Sequence, residues 1–145
     1  MIHLEPVTKY NLDEVLSLAV HDSQKGFVST TAESLAEAYV YQETAFPFVV
    51  YDGQEIVGFI MMGWYEAKNY YTLWKLLIDR RYQHKGYGRK ALDLGIAFLK
   101  DRFRVTEVYT GVSPGNVAAK NLYHAVGFQD TGVFENNMEE LCLKL

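Results

Sequence analysis

Residues 70–99 read YYTLWKLLIDRRYQHKGYGRKALDLGIAFL, and the order of residue types in this stretch decides the fold class. Tyr71 to Ile78 is an aromatic-rich strand, and Asp79 to Arg89 is a loop punctuated by Gly86 and Gly88. The next segment has Ala91, Leu92, Gly95, Ile96 and Leu99 at helical spacing, closed by basic Lys100, Arg102 and Arg104 near the negative end of the dipole. A strand that feeds a glycine turn into a helix start aims several unpaired backbone N–H groups at one point, where the positive end of the helix dipole adds to them. The stretch therefore predicts an anion cradle, with phosphate as its natural guest.

Working outward, Ile2 to Val7 alternates as a short strand closed by Pro6, and Asn11 to Leu18 has a cap residue, early acids and helical apolar spacing. A polar connection from His21 to Thr30 leads to the capping box Thr30-Thr31-Ala32-Glu33 and a second helix through Tyr41. Phe46 to Tyr51, the turn Asp52-Gly53, and Glu55 to Trp64 form an antiparallel hairpin, in which Gly58 and Gly63 signal a bulge or a close backbone approach. After the long helix come a strand at Glu107–Val112, a turn, a helix at Val117–Val126 stopped by Gly127, and two strands, Phe128 to Phe134 and Glu139 to Leu145. This order means α/β with a mixed sheet. Hairpins supply antiparallel pairs, and the helical crossover from Tyr70–Ile78 to Glu107–Val112 supplies a parallel one. The cradle then sits at the carboxyl end of a strand, where ligands of open α/β sheets gather.

With 145 residues, 49% of them hydrophobic, the chain fills one core and is too short for two ordinary domains, so one domain over 1–145 is expected. A single cysteine, Cys142, allows no internal disulfide, and its alternation with Leu141 and Leu143 marks a packed thiol rather than a reactive one. No Cys/His cluster has metal-site spacing, so no metal is expected. The first residues lack the basic and apolar regions of a signal peptide, and no apolar run approaches membrane-spanning length. A soluble, cytoplasmic protein is expected. The mild formal charge of −4 argues against nonspecific nucleic-acid binding and slightly favours a cationic partner, although an ordinary acidic surface explains it as well.

Gln83-x-x-Gly86-x-Gly88 follows a strand, opens a long helix, and is trailed by Asn116-x-Ala118-Ala119-x-Asn121-Leu122-Tyr123-x-x-x-Gly127-Phe128. Together these resemble the GNAT family of acyl-CoA-dependent N-acetyltransferases, across essentially the whole chain. The resemblance implies a mixed, mostly antiparallel central sheet of six to seven strands flanked by four helices. It also implies that the loop amides of Gln83, His84, Lys85, Gly86, Tyr87, Gly88 and Arg89 bind the pyrophosphate of acetyl-CoA. The backbone of Leu76, Leu77 and Ile78 would pair with pantetheine, where the strand splays from its neighbour. Asn116 would contact the pantetheine arm, and Tyr123 would protonate the departing thiolate. From the residues alone, Asn116 reads equally as a helix cap, and Tyr123 as a core aromatic on the Ala119-Leu122-Val126 stripe.

Within the family the nearest resemblance is to bacterial spermine/spermidine acetyltransferases, carried by Gln24-x-x-Phe27-Val28, Ser34 to Tyr39, and Ile78-Asp79-x-x-Tyr82-Gln83-x-Lys85-Gly86-Tyr87-Gly88. It implies direct transfer of acetyl to a primary amine in a ternary complex, with a small cationic polyamine as acceptor and a homodimer as a common assembly. Some polyamine acetyltransferases of the family carry a glutamate on the strand before the loop, where this chain has Trp74. The candidate acceptor contacts are Glu33 and Glu37, four apart on one helix face, and Glu66; solvated carboxylates are the bland alternative. Aromatic faces at Tyr41, Trp64, Tyr70, Tyr71 and Trp74 suit a long flexible cation or a core equally. The rival expectations are acetylation of another small amine, an aminoglycoside or a protein N-terminus, and a noncatalytic acyl-CoA-binding or sensory module.

Overall fold

The computed structural model describes residues 1–145. In chain order the elements are β1 (Ile2–Glu5), α1 (Leu12–Ser17), α2 (Thr31–Val40), β2 (Ala45–Asp52), β3 (Glu55–Tyr65), β4 (Tyr70–Ile78), α3 (Tyr87–Phe103), β5 (Glu107–Val112), α4 (Val117–Val126), β6 (Gln129–Glu135) and β7 (Met138–Lys144). Single 3-10 turns lie at Asp22–Gln24, Glu66–Lys68 and Arg80–Tyr82. The seven strands form one sheet in the order β1-β2-β3-β4-β5-β7-β6. Every neighbouring pair is antiparallel except β4 with β5, the pair joined through α3. The mixed, mostly antiparallel sheet with four helices expected from the sequence is the one observed.

β3 is the keel of this sheet. From Ile56 to Gly63 it is buried throughout, because both faces of the strand are covered. Val57, Ile60 and Met62 enter the core beneath α3 and α4, together with Leu92, Leu99 and Phe128. Ile56, Phe59 and Met61 enter a second core beneath α1 and α2, with Val15, Leu18 and Ala38. Two-residue periodicity assigns successive side chains to opposite faces, and a strand apolar on both faces must lie inside the sheet.

Two helix starts differ in how they are capped. Thr30 behaves as expected: its hydroxyl accepts the Glu33 N–H at 3.1 Å, and Glu33 Oε1 accepts the Thr30 N–H at 2.9 Å. Asn11 stands at the N-cap of α1 but makes no capping bond. Its amide is spent backwards, accepting the Thr8 N–H at 2.8 Å and donating to Pro6 O at 3.1 Å. That turn leaves α1 only six residues long.

Asp79 fastens the end of β4. It is 2% exposed, and its carboxylate accepts the Ala19 N–H, the Arg81 N–H and Arg81 Nε at 3.0, 3.0 and 2.8 Å. Burial alone would raise this carboxyl; the Arg81 guanidinium and the two N–H groups outweigh it and hold it below the ordinary carboxylate range. The folded protein therefore binds the Asp79 proton less readily than the unfolded chain. The stabilisation is complete above about pH 4 and is lost as pH falls through the depressed folded value. Asp79→Asn is expected to cost about 1–3 kcal/mol at pH 7, with the difference from wild type shrinking below about pH 4, as chemical denaturation across pH would read.

Gly58 pairs with Ile78 at the end of β4. A Cβ there would stand 2.5 Å from Leu77 O and 2.8 Å from Ile78 Cδ1, and the first contact is with backbone that cannot swing aside. Gly58→Ala is expected to lower stability by about 1–3 kcal/mol through overpacking, read as a reduced denaturation midpoint with an unchanged m-value.

Candidate active site

β4 and β5 are hydrogen-bond neighbours only briefly: Thr72 pairs with Tyr109 and Leu73 with Thr110, and there the ladder stops. Beyond Leu73 the two strands part. The Asp79 N–H donates to Val57 O at 2.9 Å, which sets the alternation of the antiparallel β3–β4 ladder. Lys75 and Leu77 then turn their backbone groups toward β3, while Leu76 and Ile78 turn theirs into the gap. Of the three residues expected to offer free backbone groups, Leu77 departs, since its main chain is engaged with Phe59.

A bulge marks the point of parting. The register slips between Met61 and Met62, so that Trp74 has no partner of its own on β3. An extra residue in a strand sends two successive side chains to one face. Trp74 and Lys75 thus both point toward α2: Trp74 meets Tyr41 edge-on at 5.8 Å between ring centres, and Lys75 Nζ lies 2.8 Å from Ser29 Oγ and 3.1 Å from Glu37 Oε1. Gly63 leaves room for the indole, since a Cβ there would stand 3.1 Å from it.

A cleft of about 280 Å³ occupies the gap between the parted strands. Leu76, Leu77, Ile78, Gln83, His84, Gly86, Tyr87, Gly88, Asn116 and Tyr123 all line it. Lys85 and Arg89 do not. Lys85 is exposed beside the Tyr82 ring, and Arg89 pairs with Asp93 at 3.7 Å. At the loop, His84 and Gly86 adopt left-handed conformations, φ +63° and +84°, on either side of Lys85. This alternation brings successive N–H groups to a common side. None of the backbone N–H groups from Gln83 through Arg89 donates to a protein acceptor, so a row of donors at the start of α3 faces the cleft mouth. The side chains are turned elsewhere: Tyr87 Oη donates to Asp52 Oδ2 at 2.6 Å, and Gln83 Nε2 donates to Ile78 O at 2.9 Å and Gln24 Oε1 at 3.0 Å. Gln24 Nε2 returns a bond to Gln83 Oε1 at 3.1 Å, clasping the connection between α1 and α2 to the loop.

Asn116 caps α4, its Oδ1 accepting the Ala119 N–H at 3.4 Å, and it lines the cleft as well; cap and site are the same residue. Two turns on, Tyr123 is 7% exposed with its ring 5.7 Å from that of Phe128, yet it too borders the cleft. Burial raises its phenol above the ordinary value, offset in part by the Thr110 hydroxyl beside it. That hydroxyl donates to Leu73 O at 3.1 Å, at the last rung before the strands part.

A second cleft, about 730 Å³, adjoins the first along Trp74, Lys75, Gly111 and Met138. Glu37 and Glu66 line it, as do Tyr41, Trp64, Tyr70 and Trp74. Glu33 lines neither cleft: its carboxylate closes the capping box of α2, and the Thr30 N–H holds its pKa low. Tyr71 belongs to the core, stacked on Phe103 at 4.5 Å. Four charged residues of this cleft escaped sequence reasoning: Lys75, already placed on Glu37, and the trio Lys68, Glu135 and Glu140. Lys68 Nζ bridges the other two at 2.9 and 3.0 Å, and Glu140 also accepts from Tyr70 Oη at 3.0 Å and Thr131 Oγ1 at 2.8 Å. Burial opposes the charge on Glu140, but these donors prevail and depress its pKa. The available signal was the Asn136-Asn137 turn, left-handed at both residues, which folds the two acids of the last hairpin back together. His3 and His124 have carboxylate partners, Glu5 at 2.6 Å and Asp130 at 2.9 Å, but lie outside both clefts, as does Cys142.

Comparison with known proteins agrees with this geometry. Residues 12–128 match the acetyltransferase (GNAT) family model. A spermine/spermidine N(1)-acetyltransferase of Bacillus subtilis is 30% identical over 152 aligned residues, covering 99% of this chain and 97% of that protein. Among solved structures, an acetyltransferase from Thermus thermophilus superposes with a TM-score of 0.76 at 25% identity, over 99% of this chain and 97% of that one. A spermidine N-acetyltransferase from Vibrio cholerae, in complex with CoA and spermine, has the same fold with a TM-score of 0.76 at 17% identity, over 99% and 95% of the two chains. A family match that spans most of the sequence thus coincides with the parted strands and the glycine loop, and the chain belongs to the acetyltransferase (GNAT) family.

Proposed function

We propose that this chain transfers the acetyl group of acetyl-CoA to a primary amine of a polyamine, with both reactants bound at once. The observation that carries the reading is the shared wall: the cleft between the parted strands and the acidic, aromatic cleft meet at Trp74 and Lys75, so two ligands can touch there without leaving their sites. The 30% identical relative, named for spermine and spermidine, supports the same acceptor class.

The residues present fit the donor. The unpaired amides from Gln83 through Arg89 offer the donors that a diphosphate needs, and Gly86 keeps the approach open, because nothing lies within 4 Å of where its Cβ would stand. The gap-facing backbone groups of Leu76 and the N–H of Ile78, whose carbonyl Gln83 already holds, suit the amides of a pantetheine arm, with Asn116 across from them. Acetyl-CoA brings the activated acyl group. The chain contributes position, exclusion of water and two proton transfers.

An alkyl ammonium with a pKa of about 10.4 must lose a proton before it attacks. Trp74 occupies the place where some relatives carry a glutamate, so the proton passes elsewhere. Glu37, beside Lys75 at the shared wall, is the carboxylate placed to take it directly or through water. A gap-facing N–H of Leu76 or Ile78 steadies the oxygen that gains charge during attack. Tyr123, kept protonated by burial, returns a proton to the departing thiolate.

The direct test monitors CoA-thiol release by purified protein with acetyl-CoA and a panel of polyamines, aminoglycosides and peptides. Turnover on polyamines is expected; turnover on peptides alone, or cofactor binding without turnover on any acceptor, overturns the reading. Tyr123→Phe is expected to bind CoA as wild type does in calorimetry and to lose about 10²-fold or more in kcat. Unchanged kcat would remove Tyr123 from proton transfer.

A further inference from the structure

The acceptor cleft already holds two ammonium groups of the protein's own, and we propose that one of them, Lys68, sets how many charges a polyamine must bring. This inference rests on the polyamine reading above. The charged side chains lining the cleft are Glu37, Glu66, Glu135, Glu140, Lys68 and Lys75, which leaves two negative charges in excess. A space of about 730 Å³ is only modestly wider than one Debye length, ~8 Å, so the charges that line it are incompletely screened from one another and their sum bears on what enters.

Lys68 is not easily displaced by an incoming amine. It reaches from the turn Glu66–Lys68 to the last hairpin, with Nζ 2.9 Å from Glu135 Oε2 and 3.0 Å from Glu140 Oε2 and its side chain 27% exposed. Being tethered, it competes at an effective concentration that a dissolved amine rarely matches. Lys75 likewise stays on Glu37 at 3.1 Å. Glu66, on the same turn as Lys68, makes no ion pair and is open to a ligand.

The nitrogen that attacks must be neutral and its proton leaves the cleft for solvent by way of Glu37, so an acceptor presents one charge fewer than its amines while the four carboxylates stay charged. A diamine then brings one, a triamine two and a tetraamine three. The triamine balances the cleft. Trp64, Tyr65 and Trp74 line the cleft as apolar walls for its methylenes between the fixed charges. Without Lys68 the excess becomes three and the balance passes to the tetraamine; without the Glu66 charge it falls to one.

The experiment measures kcat and KM for 1,4-diaminobutane, spermidine and spermine in wild type, Lys68→Gln, Lys68→Arg and Glu66→Gln. Wild type is expected to have its highest kcat/KM on the triamine. Lys68→Gln is expected to lower the tetraamine-to-triamine KM ratio about two- to fivefold, the scale of one partly exposed ion pair, and Glu66→Gln to raise it by a similar factor. Lys68→Arg should keep the wild-type order, and KM for acetyl-CoA should be unchanged in all three variants. Glu66→Gln alters an exposed turn and keeps the test valid if Lys68→Gln fails to fold. An unchanged ratio in the folded variants overturns the role of Lys68 while leaving polyamine acetylation standing. A wild-type protein that acetylates no polyamine overturns both.

Discussion

Everything distinctive about this molecule stems from the ladder between β4 and β5 ending after two residue pairs. A parallel pair left unfinished inside a sheet strands backbone donors and acceptors, and a buried polar group without a partner costs about 1–3 kcal/mol. The gap is tolerable only if something polar can enter it. Three devices hold it open. The Trp74 bulge breaks the register, Asp79 draws the end of β4 toward Ala19, and Gln83 takes the Ile78 carbonyl that a continued β5 would have claimed. The parting is thus built into β4 and the residues immediately after it.

The two clefts on either side of the bulge are made differently. The one in the gap is mostly main chain: amides of the loop, the exposed edge of β4, and a helix start whose own side chains point to Asp52, Asp93 and Gln24. Such a site depends on conformation, and its demands on residue type are few, a glycine at φ +84° foremost. The adjoining cleft is mostly side chain, assembled from α2, β3, β4, the turn between them, and the β6–β7 hairpin. Its character is set by charged and aromatic side chains, so substitutions there alter its lining while leaving the loop intact. The Gln24–Gln83 clasp belongs to the first cleft alone, fixing the connection between α1 and α2 to the loop.

This difference decides what can be read from the chain. The loop cleft is contiguous in sequence, so strand, glycine turn and helix start are visible together, whereas Asn116 and Tyr123 stand out only through the family resemblance carried by Asn116 to Phe128. The order of the strands and helices was equally plain, because turn residues and periodicity mark each boundary. What escaped was produced by tertiary geometry. The bulge leaves no trace in the pattern Thr72 to Leu77, and only the pairing with β3 reveals that Trp74 and Lys75 share a face. Lys68 lies 72 residues before Glu140, and their meeting depends on the closing hairpin.

Glu33 and Glu37 show how local competition sorts residues that a pattern treats alike. They stand four apart on one face of α2, equally suited by spacing to meet a cation. Glu33, however, sits in the first turn, where N–H groups have no helical partner, and a carboxylate there is captured by the backbone. One turn later every N–H is already bonded within the helix. Glu37 has no backbone donor to compete for it and turns instead to Lys75 across the cleft. The capping box, legible in the sequence, is therefore also the reason that Glu33 belongs to the fold while Glu37 faces the cleft.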